Sequence, residues 1–183
     1  NALWRSGLKA LEAGLGGASD GKGRLERMNI LILGTGGSAS ALTYAITQKK
    51  GIVSICAQND KVAQRMANDF GCRFVPYQNM YSTLVDVVVL ADPALRCGMH
   101  QGCINPSLFK AGMTVLDVTN PPQEHELATE AKARGGKVID SRAIYLEIVR
   151  AQFKAIAGQD LPPSAIDEGL AECARLGLRT ARR

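Results

Sequence analysis

The sequence predicts an α/β fold, a doubly wound domain in which six parallel strands in the order 3-2-1-4-5-6 carry helices on both faces. Two observations lead there. Short apolar runs alternate with helical stretches of about ten residues, and strand–helix–strand units of that kind close by right-handed crossovers into a parallel sheet. A glycine cluster also sits directly after the first apolar run, in "MNILILGTGGSASAL", where a doubly wound fold turns from strand into helix.

The elements follow in order. Leu8, Leu11 and Leu15 recur at helical spacing, so residues 3–15 read as an amphipathic helix. "GGASDGKG" reads as a flexible connector. "MNILIL" is a buried-strand run, "GSASALTYAITQK" a helix and "GIVSICA" the second strand. "DKVAQRMANDFG" is a helix with Asp60 as its N-cap and Gly71 as its stop. "CRFV", "DVVVLAD", "MTVLDV" and "KVID" supply strands three to six. "PSLFKAG" and "QEHELATEAKARGG" are helical stretches between the later strands, and "SRAIYLEIVRAQFKAIAG" and "SAIDEGLAECARLGL" are helices beyond them. The organisation expected is a helix and linker over residues 1–23, the doubly wound domain over 24–140, and helices with a basic tail over 141–183 that pack on it.

Composition excludes several classes. The 183 residues are 46% apolar and 21% charged, globular proportions that speak against disorder. No apolar run approaches the roughly 20 residues that span a bilayer, and the longest, residues 85–91, contains Asp86. The net charge is +5, with Arg24 and Arg27 ahead of the first strand and Arg175, Arg179, Arg182 and Arg183 at the tail. No aromatic interleaving accompanies that tail, which argues against nucleic acid. The five cysteines are odd in number and form no CxxC pair, the pattern of free thiols in a reducing cytoplasm. With two histidines, His100 and His125, no metal site is expected.

Gly34, Gly36 and Ala39 form G-x-G-x-x-A between a strand and a helix, with Thr35, Gly37 and Ser38 completing the turn. Gly34 allows a tight bend. Gly36 has no Cβ, so a pyrophosphate can approach the backbone, and Ala39 lets helix and strand pack closely. Free N–H groups and the helix dipole favour an anion there. This is the fingerprint of a Rossmann-type dinucleotide site. The end of the second strand selects the cofactor, because an acid there binds a ribose 2′-hydroxyl and a cation favours a 2′-phosphate. Here it reads Ala57-Gln58-Asn59-Asp60, with Lys61 and Arg65 on the following helix. NAD and NADP both remain open, and only a weak dependence on the 2′-phosphate is expected.

Other residues also carry groups capable of chemistry. His100 could act as a base but lacks a partner in the sequence. Cys97 and Cys103 flank its loop without a sign of a depressed thiol pKa. Asp117 ends the fifth strand and either orients the cleft or caps the loop "TNPP". Tyr145 either stacks on a ring or packs. Glu124, His125 and Glu126 read as a solvated helix start.

The motifs together resemble the shikimate dehydrogenase family over its C-terminal cofactor-binding domain. "ILGTGGSASAL" is similar to the family's "hGAGGAxxAh" loop, "GMHQG" to "GMHP", "LDVTNPPQEHELATEAKARGGKVID" to "hDhhYxPxxTxLLxxAxxxGxxxhxG", and "RAQFKAIAGQDLP" to "xxQFxxWTGxxxP". "NALWRSGLKALE" lies over the helix that begins "NTDxxGxxxxLE". The resemblance runs collinearly over nearly the whole chain.

It implies an oxidoreductase that transfers hydride between NADPH or NADH and 3-dehydroshikimate or a related ring acid held in a cleft between two domains. A lysine–aspartate pair handles the proton, and the lysine belongs to an N-terminal catalytic domain that this sequence lacks. The resemblance places the aspartate of "NTD" on Leu3, the substrate-binding glutamine of the closing helix on Ile148, and the glycine and methionine beside the nicotinamide on Ser141 and Ile144. The "NRT" segment that reads the 2′-phosphate falls on Ala57, Gln58 and Asn59, and Ala91, Asp92 and Pro93 lie over "NATPxG". Scaffold positions are kept and substrate positions are not, since leucine cannot exchange a proton and isoleucine cannot hold a hydroxyl. No catalytic residue is therefore assigned, and the chain alone is expected to be inactive. Two alternatives stand: a catalytically degenerate domain with a structural or dimerisation role, homodimer included, and a dehydrogenase of quinate or another hydroxylated ring acid.

Overall fold

The structure is a computed structural model that describes residues 2–16, 25–119 and 124–175, apart from the side chains at 2, 143, 170, 173 and 174. The connector expected at 16–23 lies outside these residues except for Gly16. So do Arg24, residues 120–122 of the "TNPP" loop, the Cys173 thiol and the tail arginines beyond 175.

Six strands make one parallel sheet in the order β3-β2-β1-β4-β5-β6, as the sequence predicts. They are β1 (Asn29–Leu33), β2 (Ile52–Cys56), β3 (Arg73–Phe74), β4 (Val87–Leu90), β5 (Thr114–Asp117) and β6 (Lys137–Ile139). The central strands β1, β4 and β5 read as continuous Val/Ile/Leu runs because both faces are covered. Register pairs Ile30 with Val53 and Val87, so neighbouring β-branched side chains stack across three strands.

Alternation along each strand divides the interior into two layers. On one face Ile30, Ile32, Val53, Ile55, Val87 and Val89 meet α2 (Gly37–Gln48), α3 (Asp60–Asp69) and α1 (Ala2–Gly14). On the other, Leu31, Leu33, Cys56, Val88 and Leu90 meet Met80, Leu95, Ile104, Leu108 and the apolar side of α4 (Glu126–Ala133). α1 presents Leu8 and Leu11 to the first layer and packs against α2 and against α5 (Ser141–Ala157), to which Lys9 also reaches with a 2.7 Å ion pair to Glu147. α6 (Pro163–Arg175) follows; of its first seven side chains only Ile166 is half-buried and the rest are exposed.

Two local expectations are corrected and one element is added. The N-cap of α3 is Asn59, whose Oδ1 accepts from the Val62 amide at 3.3 Å, and Asp60 is instead the first helical residue. Two adjacent Asx residues compete for one cap, and the earlier one wins because Asp60 turns its Oδ1 to the Tyr77 amide at 3.0 Å. "PSLFKAG" forms only a single 3-10 turn, Pro106–Leu108, since Asn105 caps it but the chain must turn again at Lys110–Met113 to enter β5. A second 3-10 segment, Tyr77–Ser82, fills the crossover from β3 to β4, where the sequence shows no apolar period.

Candidate functional site

The strand order reverses between β1 and β4, and the carboxyl ends of those strands open the crevice where doubly wound sheets bind ligands. The chain leaves β1 at Gly34, whose φ is +129° and whose amide donates to the Cys56 carbonyl at 2.9 Å. A Cβ at Gly34 would lie 3.0 Å from the Ala91 carbonyl carbon and from Asp92 Cβ, so glycine alone lets the ends of β1 and β4 meet. Asp92 is tied down by the Ala94 amide, which donates to its Oδ1 at 2.8 Å and sets the turn through Pro93.

Gly36 and Gly37 are different. Gly36 has ordinary extended geometry, φ −75° and ψ −176°, and a Cβ at either position would meet nothing within 4 Å. The fold therefore needs no glycine here, and the two residues leave a backbone surface open to the outside. Gly36 is the N-cap of α2, so no side chain caps the helix and its first amides point outward, flanked by Thr35 and Ser38. Ala39 is fully buried against the sheet, the close helix–strand contact that the spacing predicts. A pyrophosphate fits this cradle: it requires bare backbone, free N–H groups and a helix N-terminus, and all three are present.

At the end of β2 and the start of α3 lies a cavity of about 670 Å³. Gln58 and Asp60 form one wall, Tyr77 and Tyr81 a second, and residues 98–103 a third. Two hydrogen bonds converge on the Gly102 carbonyl, from Gln58 Nε2 at 2.8 Å and from the Tyr77 hydroxyl at 2.9 Å. Burial pushes the Tyr77 pKa up, with the Gln58 amide opposing, so the phenol keeps the proton that it donates. The base of the loop is pinned by Ile104 N to Arg96 O at 2.8 Å, Gly98 N to Ile104 O at 3.1 Å, and Cys97 N to the Glu126 carboxylate.

The other expected residues fall as follows. Asp117 is fully buried; its Oδ1 accepts from the Thr119 amide and hydroxyl at 2.9 and 2.7 Å and its Oδ2 from the His125 amide at 3.2 Å. Both oxygens thus serve the loop after β5, the capping role, rather than a ligand. Ser141 opens α5 and is buried, and Ile144 is 2% exposed in the core layer beneath α1 and α2, so packing occupies its side chain. Leu3 and Ile148 both lie half-buried against that same layer. Tyr145 is half exposed on α5. His100 lines the β2-end cavity, which its sequence context did not indicate. Burial, and then the Glu130 and Glu126 carboxylates, push the Cys97 thiol up, against a nucleophilic role. Among the described residues no group of three or more metal-binding side chains gathers, and no helix is long and apolar enough to cross a membrane.

Sheet order, switch point and glycine cradle define a Rossmann-like α/β domain of the dinucleotide type. Its relatives are shikimate dehydrogenases: the chain is 30% identical over 138 residues, 72% of its length, to the shikimate dehydrogenase (NADP+) of Oleidesulfovibrio alaskensis, and covers 49% of that protein. It thus spans about half the length of the curated relatives it matches. Among solved structures it superposes with TM-score 0.69 on a Thermus thermophilus shikimate 5-dehydrogenase in complex with NADP(H) and shikimate, at 24% identity over 92% of this chain and 60% of that one. It superposes with TM-score 0.72 on a Corynebacterium glutamicum quinate dehydrogenase in complex with NAD, at 22% identity over 94% of this chain and 62% of that one. These likenesses confirm the fold. No family model matches the chain.

Proposed function

We propose that this chain is the dinucleotide-binding domain of a shikimate dehydrogenase-like oxidoreductase. The observation that carries the reading is the pair Gly36 and Gly37, open where the fold needs no glycine and placed at the start of α2 beside the switch point. Thr35 and Ser38 flank the phosphates, Gln58 and Asn59 stand near the second ribose, and Ala91, Asp92 and Pro93 form the wall across the crevice. A bound nicotinamide would supply the hydride for a ring carbonyl, or take it from a ring alcohol, in the whole protein. Leu3 and Ile148 hold no proton and no hydroxyl, so the acid–base work falls to groups other than these two. By itself the chain binds cofactor and does not turn substrate over.

Titration calorimetry of the full chain with NADH and with NADPH tests this. The expected result is a saturable heat with at least one of them. The absence of heat with either cofactor at millimolar concentration rejects the dinucleotide reading and leaves a structural module.

A further inference from the structure

Resting on the reading just given, we infer that the β2-end cavity takes the adenosine half of the cofactor with a bare 2′-hydroxyl, so that the chain selects NAD over NADP through Asp60. Three features of the cavity point there.

First, among the described residues its walls hold no cation. The thirteen lining residues include neither Lys nor Arg, and their single carboxylate is Asp60. Lys61 and Arg65 stand exposed on α3 and do not line it. A 2′-phosphate carries nearly two negative charges at neutral pH and needs charge-assisted donors. Here it would meet a carboxylate instead, and His100 is the only lining side chain that can become positive.

Second, the Gln58 donor at the strand end is already engaged. Its Nε2 is bound to the Gly102 carbonyl at 2.8 Å, while the Asn59 Oδ1 accepts from the Val62 amide at 3.3 Å. A phosphate that drew on the Gln58 amide would compete with the bond that holds the 98–103 loop. A hydroxyl requires no such change.

Third, Asp60 is half free. Its Oδ1 accepts from the Tyr77 amide at 3.0 Å, and its Oδ2 has no hydrogen-bond partner among the described residues. Asp60 lines the cavity, and that oxygen is left as an acceptor for a ribose hydroxyl, the role an acidic residue plays near the second strand of NAD-binding domains. Tyr77 and Tyr81 add aromatic surface to the same space for a purine ring.

The test is calorimetry of the full chain with NAD+ and NADP+, followed by the Asp60→Asn variant, which keeps an oxygen for the Tyr77 amide and removes the charge. The wild type is expected to bind NAD+ at least tenfold tighter than NADP+. In Asp60→Asn that ratio should shrink at least fivefold, with NAD+ weakened and NADP+ strengthened. Equal or tighter NADP+ binding by the wild type overturns the inference while leaving the dinucleotide reading intact. An unchanged ratio in a folded Asp60→Asn also overturns it. Binding of neither cofactor overturns both readings together.

Discussion

The side-chain amide of Gln58 donates a 2.8 Å hydrogen bond to the carbonyl of Gly102, joining the end of β2 to a loop 44 residues further along the chain. The Tyr77 hydroxyl meets the same carbonyl, so a single acceptor holds together three elements that form the β2-end cavity. Gly102 has φ +85°, a left-handed geometry that glycine adopts without strain.

That latch should be local. All three groups are exposed or half-buried, where one hydrogen bond contributes about 1 kcal/mol or less. The double variant Gln58→Ala/Tyr77→Phe is expected to speed amide exchange at Gly98 and Ile104 while lowering global stability by about 1 kcal/mol or less. Hydrogen exchange followed by NMR reads both quantities, and unchanged exchange at those two amides would show that the loop is held by its base instead.

Gly34 carries a cost that Gly36 does not. Alanine at 34 would place a Cβ 3.0 Å from the Ala91 carbonyl carbon at φ +129°, and both the contact and the backbone oppose it. Gly34→Ala is expected to destabilise the fold by about 1–3 kcal/mol in urea unfolding. A change within about 0.5 kcal/mol would mean that the ends of β1 and β4 separate easily.

Much of this was legible in the sequence. Apolar runs bounded by turn residues mark β1, β2, β4 and β5, and a parallel sheet follows from the helices between them. The glycine cradle was legible because its spacing states its own geometry. Asn59 was missed as a cap since Asn and Asp have nearly equal capping strength, and only the Tyr77 contact separates them. The Gln58–Gly102 bond was not legible because it joins distant segments with no pattern in common. Ile144, which the resemblance places beside the nicotinamide, is an apolar residue of α5 packed into the core layer, a burial that no single-sequence pattern announced.

Cys56 ends β2 with no exposed surface, and its thiol is pushed up to about 12, first by burial and then by the Asp60 carboxylate. In the unfolded chain the thiol ionises near its ordinary value of 9.0. Between those two values the folded state binds more protons than the unfolded state, so stability falls as pH rises. The contribution is complete below pH 9 and is lost toward pH 12. The urea midpoint is expected to drop across this window, and Cys56→Ala should flatten the drop. Native Cys56 should also resist thiol-labelling reagents that reach Cys97 and Cys103. Rapid labelling of Cys56 in the native state would show that β2 opens locally.

Gly36 provides the sharpest separation of binding from folding. Its φ of −75° suits any residue, and a Cβ there would meet no protein atom within 4 Å. Gly36→Val should therefore cost no more than about 1–1.5 kcal/mol, the penalty of a β-branched residue in place of glycine at an N-cap, and leave the chain folded. The same isopropyl group would stand in the space that a pyrophosphate must cross to reach the first amides of α2. Cofactor affinity measured by calorimetry is expected to fall more than tenfold, which is about 1.4 kcal/mol. Equal affinity in a folded Gly36→Val would mean that the cofactor does not approach through this turn, and the glycines at 36 and 37 would then require another explanation.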